Sequence, residues 1–269
     1  MTPAALVARA ASRGVHVLAL TDHDTLDGLA EARAAARQHA IELIDGVEIS
    51  VTWYGRTLHV VGLNVDPGAP SLAEGLGRIR AGRLQRAESI GRRLAGLGIA
   101  DSLEGALGLA SNRAMVGRAH FARHLVSTGV VKDMKTAFRR YLGEDKPAYV
   151  RHQWASLADA IGWIRRSGGT AVLAHPGRYG LRRGRLRELF CEFRTLGGEA
   201  VEVVTASHAP DQVTLVAGLA VECGLRASAG SDFHCPEESW LDLGQLPGLP
   251  AGCDPIWRDW PLCSTSVPS

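Results

Sequence analysis

Short runs of apolar and β-branched residues recur along this chain, and almost every one is followed by a stretch with helical periodicity. Val15–Leu20, Ile41–Ile49 and Thr57–Leu63 read as strands, and strands resume at Thr170–Ala174, Glu199–Val204 and Leu225–Ala229. Leu26–Ala40 reads as a helix, and Gly14 ends a helix ahead of the first strand. Strands that are apolar at consecutive positions are covered on both faces, so the pattern predicts a parallel sheet flanked by helices, open or closed into a barrel. After Pro70 the strand signal disappears for about 80 residues. The breaker Asp66-Pro67-Gly68-Ala69-Pro70 is followed by helical patterns over Ser71–Leu97, Ser102–Leu109, Gly117–Ser127 and Met134–Leu142. The expected class is therefore α/β, with a sheet-bearing domain over 1–66 and 149–269 and a helical insert over 67–148.

Composition narrows the function. The 269 residues are 46% apolar, enough for one large core with an insert, and 30 Lys+Arg nearly balance 28 Asp+Glu. A net charge of +2 excludes a strongly basic nucleic-acid coat. Lys132, Lys135 and Lys146 are the only lysines; genome composition accounts for this, and so would phosphate recognition, because the guanidinium fork matches phosphate oxygens. Cys191, Cys223, Cys235, Cys253 and Cys263 are odd in number and lack a C-x-x-C, which argues against a disulfide framework and for a reducing compartment. No apolar run approaches the roughly 18 residues of a membrane span. The Ala/Arg-rich start, with Leu6, Val7 and Ala10, reads as an amphipathic helix of the fold. The expectation is a cytoplasmic protein with no membrane partner and no obligate protein partner.

Histidines and carboxylates cluster in or just after the predicted strands. They are Asp22-His23-Asp24, Glu48, His59, His175-Pro176, and Asp232 with His234. In α/β folds the carboxyl ends of the strands form the active face, so residues distant in sequence can converge there. Singly, each has a plainer explanation. His59 fits a core strand, and Asp22 and Asp24 fit helix caps. Glu48 is harder to dismiss, because a carboxylate in an apolar strand is costly to bury unpaired. Asp232 and His234, two apart in extended chain, point to one side. Together the six make a nitrogen–oxygen metal cluster suited to Mn, Fe or Zn.

A second pattern lies in the helical stretch. Ile79, Arg83, Arg86, Ile90, Leu94 and Leu97 share one helix face, so Arg83 and Arg86 sit on an apolar stripe. Charges there need a partner, and phosphate is a good one; escape to solvent or pairing with Glu88 is the alternative. Arg118 opens another helix, where backbone N–H groups also favour an anion. His120, Arg123 and His124 are as well explained by packing or surface roles. His208 could reach the mouth of a barrel, and His16, His39 and His152 read as surface or structural residues.

The segments LALTDHDT, DGVEIS, LHVVGL, VGRAHFARHLV, AHP and GSDFH, taken in this order, resemble the PHP (polymerase and histidinol phosphatase) family. The likeness is greatest to its bacterial branch of 3′,5′-nucleoside bisphosphate phosphatases and 5′→3′ exoribonucleases. The resemblance implies a distorted (β/α)7 barrel, depleted in its first strand, that binds up to three divalent metal ions, manganese first, with zinc or iron as alternatives. It implies His23, Glu48, His59, His175, Asp232 and His234 as metal ligands, Glu48 bridging two ions, and Arg83, Arg86 and Arg118 as substrate contacts. The insert then caps the substrate, a nucleotide or short RNA. The family's opening Asp-x-His-x-His strand has no counterpart here, and Met1-Thr2-Pro3 corresponds to a segment just downstream of it. Either a start codon placed too late, the favoured expectation, or a true truncation accounts for this, with a reduced metal complement and weak or no activity expected for the chain as it stands. The implied activity is hydrolysis of 3′,5′-bisphosphonucleotides, or of 5′-phosphorylated short RNA, by metal-activated water without a covalent nucleophile. Two alternatives are a histidinol-phosphate-type phosphatase and a catalytically impaired nucleotide- or RNA-binding module.

Overall fold

Six strands form one sheet in sequence order, β1 (Val17–Leu20), β2 (Glu42–Trp53), β3 (Arg56–Leu63), β4 (Thr170–Leu173), β5 (Ala200–Thr205) and β6 (Arg226–Gly230). The computed structural model describes residues 1–110, 112–236, 239 and 241–261. Cys263 and the end of the proline-containing tail lie outside them. Among the described residues the sheet curls into a half-barrel accompanied by nine α-helices, the depleted barrel that the sequence implied.

The expected all-parallel sheet fails at its centre. β1–β2, β4–β5 and β5–β6 are parallel, but β2–β3 and β3–β4 are antiparallel. Trp53 pairs with Arg56, which leaves Tyr54-Gly55 as a two-residue hairpin turn. Their φ angles of 44° and 77° are both positive, the geometry whose twist matches the strands it joins. Continuous burial along β2 and β3 hid this turn, because the hairpin is covered on both faces as a parallel pair would be.

Two compact units make up the chain, Met1–Gly75 with Ala155–Ser269, and Leu76–Trp154. In the first, helix α1 (Pro3–Ser12) starts at Thr2, whose side-chain oxygen accepts the Ala5 N–H at 3.2 Å. Val7 and Ala10 of α1 pack with Leu20 and with Leu29 and Ala32 of α2 (Leu29–Gln38). Helix α7 (Leu157–Arg166) lies against β2, β3 and β4, so close that a Cβ on Gly62 would stand 2.9 Å from Ile164 Cγ1. Helices α8 (Arg183–Thr195) and α9 (Pro210–Glu222) flank β5, and Leu189, Phe190, Phe193, Val216 and Leu219 are fully buried. Each such side chain contributes about 1.5–3 kcal/mol relative to exposure.

Helix α3 (Pro70–Gly96) begins in the first unit and ends in the second. The second unit adds α4 (Ser102–Gly108), α5 (Arg118–Ser127) and α6 (Met134–Ala137), which continues as a wide π turn over Phe138–Leu142. Ile90, Leu94, Leu107, Phe121, Leu125 and Leu142 form its core. Leu97, expected on the apolar face, lies beyond the helix end and is 45% exposed. No helix among the described residues is long and apolar enough to cross a membrane.

Candidate metal centre

Glu48 sits mid-strand in β2, buried, with β3 on one side and a short parallel bridge to His23 on the other. Three imidazoles meet its carboxylate. His23, delivered by the loop after β1, brings Nδ1 to 3.2 Å from Oε2. His59 of β3 and His175, just past β4, bring Nδ1 and Nε2 to 3.1 and 2.9 Å from Oε1. Those two nitrogens are 3.2 Å apart, and the His23 and His59 ring centres are 4.8 Å apart. Burial alone would raise the Glu48 pKa; His23, followed by His175 and His59, holds it well below the ordinary carboxylate range. The sheet thus brings together four of the six predicted ligands, three imidazoles on the Glu48 carboxylate.

The remaining two share a neighbouring loop. Asp232 follows β6 with φ at 52°, and Arg178 Nη1 donates to its Oδ2 at 2.5 Å. His234 Nδ1 lies 2.9 Å from the backbone oxygen of Asp232, and its ring centre is 6.0 Å from that of His23. The expected pair stays together, with His234 Nδ1 3.6 Å from Asp232 Oδ1, although the positive φ at Asp232 departs from extended chain.

Asp24 is not a helix cap. It is fully buried, accepts the Ser50 N–H at 2.7 Å and the Ser50 hydroxyl at 2.9 Å, and thereby fastens the His23 loop to β2. His208, expected to reach the barrel mouth, is bonded to the backbone, in part to the turn after His175. Its Nδ1 donates to the Val203 carbonyl at 3.0 Å and its Nε2 accepts the Gly177 N–H at 2.9 Å.

Sequence reasoning missed two supporting residues. Glu202 of β5 is buried, and its Oε2 accepts the His175 N–H at 2.7 Å, while Gly230 is packed so closely that a Cβ there would fall 2.1 Å from Glu202 Oε1. Burial pushes the Glu202 carboxyl up to about 7. The signal was present: a carboxylate inside Val201-Glu202-Val203-Val204 has the same cost that singled out Glu48. Tyr179 donates its hydroxyl to the Ala174 carbonyl at 2.7 Å and accepts the His59 N–H at 3.0 Å, so it ties two ligand-bearing segments together. Burial raises its pKa well above the ordinary tyrosine value.

Residues 1–67 match the model of the PHP domain. The chain is 51% identical to the 3′,5′-nucleoside bisphosphate phosphatase of Chromobacterium violaceum, over 96% of this chain and 91% of that protein. The chain belongs to the PHP family of metal-dependent phosphoesterases. It is also 44% identical to a 5′-3′ exoribonuclease of Escherichia coli, over 97% of this PHP protein and 89% of that one. A solved structure of an amidohydrolase from C. violaceum, with bound sulfate and no metal, superimposes with a TM-score of 0.89 at 51% identity, covering 96% and 90% of the two chains.

The PHP donor set fits a divalent ion on two observations of its own. The nitrogen–oxygen separations of 2.9 to 3.2 Å around Glu48 match the roughly 3.0–3.4 Å between neighbouring ligands in a shell of radius about 2.1 Å. In addition, His175 Nδ1 is buried without a hydrogen-bond partner. One carboxylate with several imidazoles is a donor set for Mn, Fe or Zn.

The predicted substrate arginines lie in the helical unit of this PHP protein. Arg83 and Arg86 of α3 place their guanidinium carbons 4.6 and 5.5 Å from the Trp154 ring centre. Arg86 Nε donates to the Val150 carbonyl at 3.1 Å. Arg118, at the start of α5, stands 5.5 Å from the Tyr149 ring centre and donates to the Leu142 carbonyl at 3.3 Å. Burial, and then the charge of Arg118, lower the Arg86 pKa to about 10, with Arg83 acting in the same sense. His120 caps α5, with Nδ1 accepting the Gly117 N–H at 3.1 Å, and His152 stacks edge-on against Trp154 at 4.2 Å.

Proposed function

We propose that this PHP phosphoesterase acts on nucleotides, removing phosphate from 3′,5′-bisphosphonucleotides or releasing nucleotides from 5′-phosphorylated short RNA. The observation that carries the reading is the buried Glu48 carboxylate met by three imidazoles. His23, Glu48, His59 and His175 would hold divalent ions, manganese first and zinc or iron next, with Asp232 and His234 adding ligands from their loop. When bound, such ions supply an activated water and neutralise phosphoryl charge. Glu48 remains ionised to hold them. Tyr179 and Glu202 fix the backbone at His59 and His175, so that the imidazoles keep their aim as charge builds.

The substrate half of the reading is supported by the cationic cluster. Arg83, Arg86 and Arg118 bind a phosphate of the substrate, and a small monoester has no second phosphate for them. The names of the two relatives, a bisphosphate phosphatase and an exoribonuclease, share that need. Phosphate release from adenosine 3′,5′-bisphosphate and from histidinol phosphate, measured side by side with manganese added, tests it. The expected result is a clear preference for the bisphosphate. Preference for histidinol phosphate would transfer the activity to small monoesters, and tight bisphosphate binding without release would make the chain a binding module.

A further inference from the structure

We propose that Cys191 and Cys223 are a redox modification site, in which a peroxide joins the two sulfurs and staples α8 to α9. Their Sγ atoms lie 3.0 Å apart, and both residues are half-buried thiols. The register that aligns them is built. Arg183, Arg187 and Cys191 recur at intervals of four on one face of α8. Arg183 Nη2 reaches Glu222 Oε2 at 3.1 Å, and Arg187 Nε grips Glu222 Oε1. Glu222 ends α9, and Cys223 is its C-cap. The ion-pair clamp therefore holds the residue next to Cys223 against the face that carries Cys191. Cys223 can also donate to the Arg187 carbonyl, with the sulfur at 3.9 Å.

The step balances as two thiols plus one peroxide giving one disulfide and two waters. The Cys191 sulfur attacks the peroxide O–O bond and becomes a sulfenic acid, and the released oxygen takes up a proton as the first water. The Cys223 sulfur then displaces the sulfenic oxygen, which leaves as the second water with the Cys223 proton. Burial and the contact with Cys191 push the Cys223 thiol up to about 12, so it keeps its proton until it attacks the sulfenic sulfur. Disulfides of this sensing kind form in otherwise reducing compartments.

The bond would close a loop of |i−j| = 32 that contains β5 and α9. β5 carries Glu202, and Gln212 of α9 donates to the Gly177 carbonyl at 2.9 Å in the turn after His175. The staple thus stiffens a segment that supports the His175 end of the metal centre.

The test uses the full chain, reduced, freed of reductant and treated with hydrogen peroxide. The expected outcome is a monomer lighter by two hydrogens, a Cys191–Cys223 linked peptide, reversal by dithiothreitol, and a rise in Tm of several degrees, about 5–10 °C. Cys235 and Cys253 should remain open to alkylation. Cys191→Ser should abolish the internal link. The paired variant Arg183→Ala/Arg187→Ala keeps both thiols and should slow linking roughly two- to fivefold. Free alkylation of Cys191 and Cys223 after peroxide, or links formed between chains instead, would overturn the proposal.

Discussion

Around Glu48 one carboxylate is met by three imidazoles, whereas the charged groups that act on Arg86 include two further arginines and no carboxylate. The first cluster offers the nitrogen and oxygen donors that a cation needs. The second gathers guanidinium groups around Arg86, among ring faces and backbone carbonyls, a chemistry that suits an anion. A centre of the first kind is expected to fail in metal binding when altered. One of the second kind is expected to fail in substrate binding.

The largest effect that would sharpen this contrast is at the carboxylates. Glu48→Gln and Asp232→Ala should each lower turnover about a thousandfold or more, with metal content, measured by elemental analysis, falling in parallel. Wild-type turnover in Asp232→Ala would break the proposed chemistry. Next, Glu202→Ala removes the acceptor of the His175 N–H and should weaken metal affinity by about 10–100-fold, while Glu202→Gln, which retains an oxygen acceptor, should recover most of it in equilibrium dialysis. In the other cluster, Arg86→Ala should raise KM by roughly 10–100-fold with kcat nearly unchanged, the mark of a group that binds substrate and transition state alike. A smaller effect needs no turnover. Inorganic phosphate should raise Tm by a few degrees in the wild type, beyond chloride at matched ionic strength, and by much less in Arg86→Ala. An equal response in the two proteins would show that the cationic cluster does not bind phosphate.

The smallest effect is on pH. Asp242 is bonded by Arg9 through Nε at 2.7 Å and Nη2 at 2.8 Å, with Arg13 at 2.7 Å, and the Arg9 bond holds its carboxyl below the ordinary value. Its folded pKa lies below the unfolded one of about 3.9, so this tie is fully present above that pH and is lost as pH falls through the folded value. Hydrogen exchange should therefore report loss of protection in α1, relative to α8, on acidification below about pH 4. Unchanged protection in α1 would remove Asp242 as its anchor.

Much of this was legible before any coordinates. Every predicted strand and most predicted helices are present, because continuous apolar runs and their glycine and proline boundaries are local signals. The convergence of His23, Glu48, His59 and His175 was also legible, since carboxylates and imidazoles inside or just beyond apolar strands demand partners. What escaped was set by pairing. Burial on both faces cannot distinguish a parallel strand from the covered hairpin of β2 and β3. The partner of Asp24 is Ser50, across the sheet, and no nearby spacing announces it. Cys191 and Cys223 meet only because α8 and α9 pack side by side, a contact on which cysteine spacing is silent.

The acid at the heart of the centre is also its least adjustable member. Glu48 is paired with Val61 on one side and bridged to His23 on the other, inside the 12-residue strand β2, whereas His175 lies past a strand end with φ at 29°. Exchange of one ion for another of different radius would therefore be absorbed by the imidazole rings that approach Glu48 rather than by the strand that carries it. Tolerance for more than one metal would reside in those rings, and packing them more tightly would make the protein more selective without touching a single donor atom.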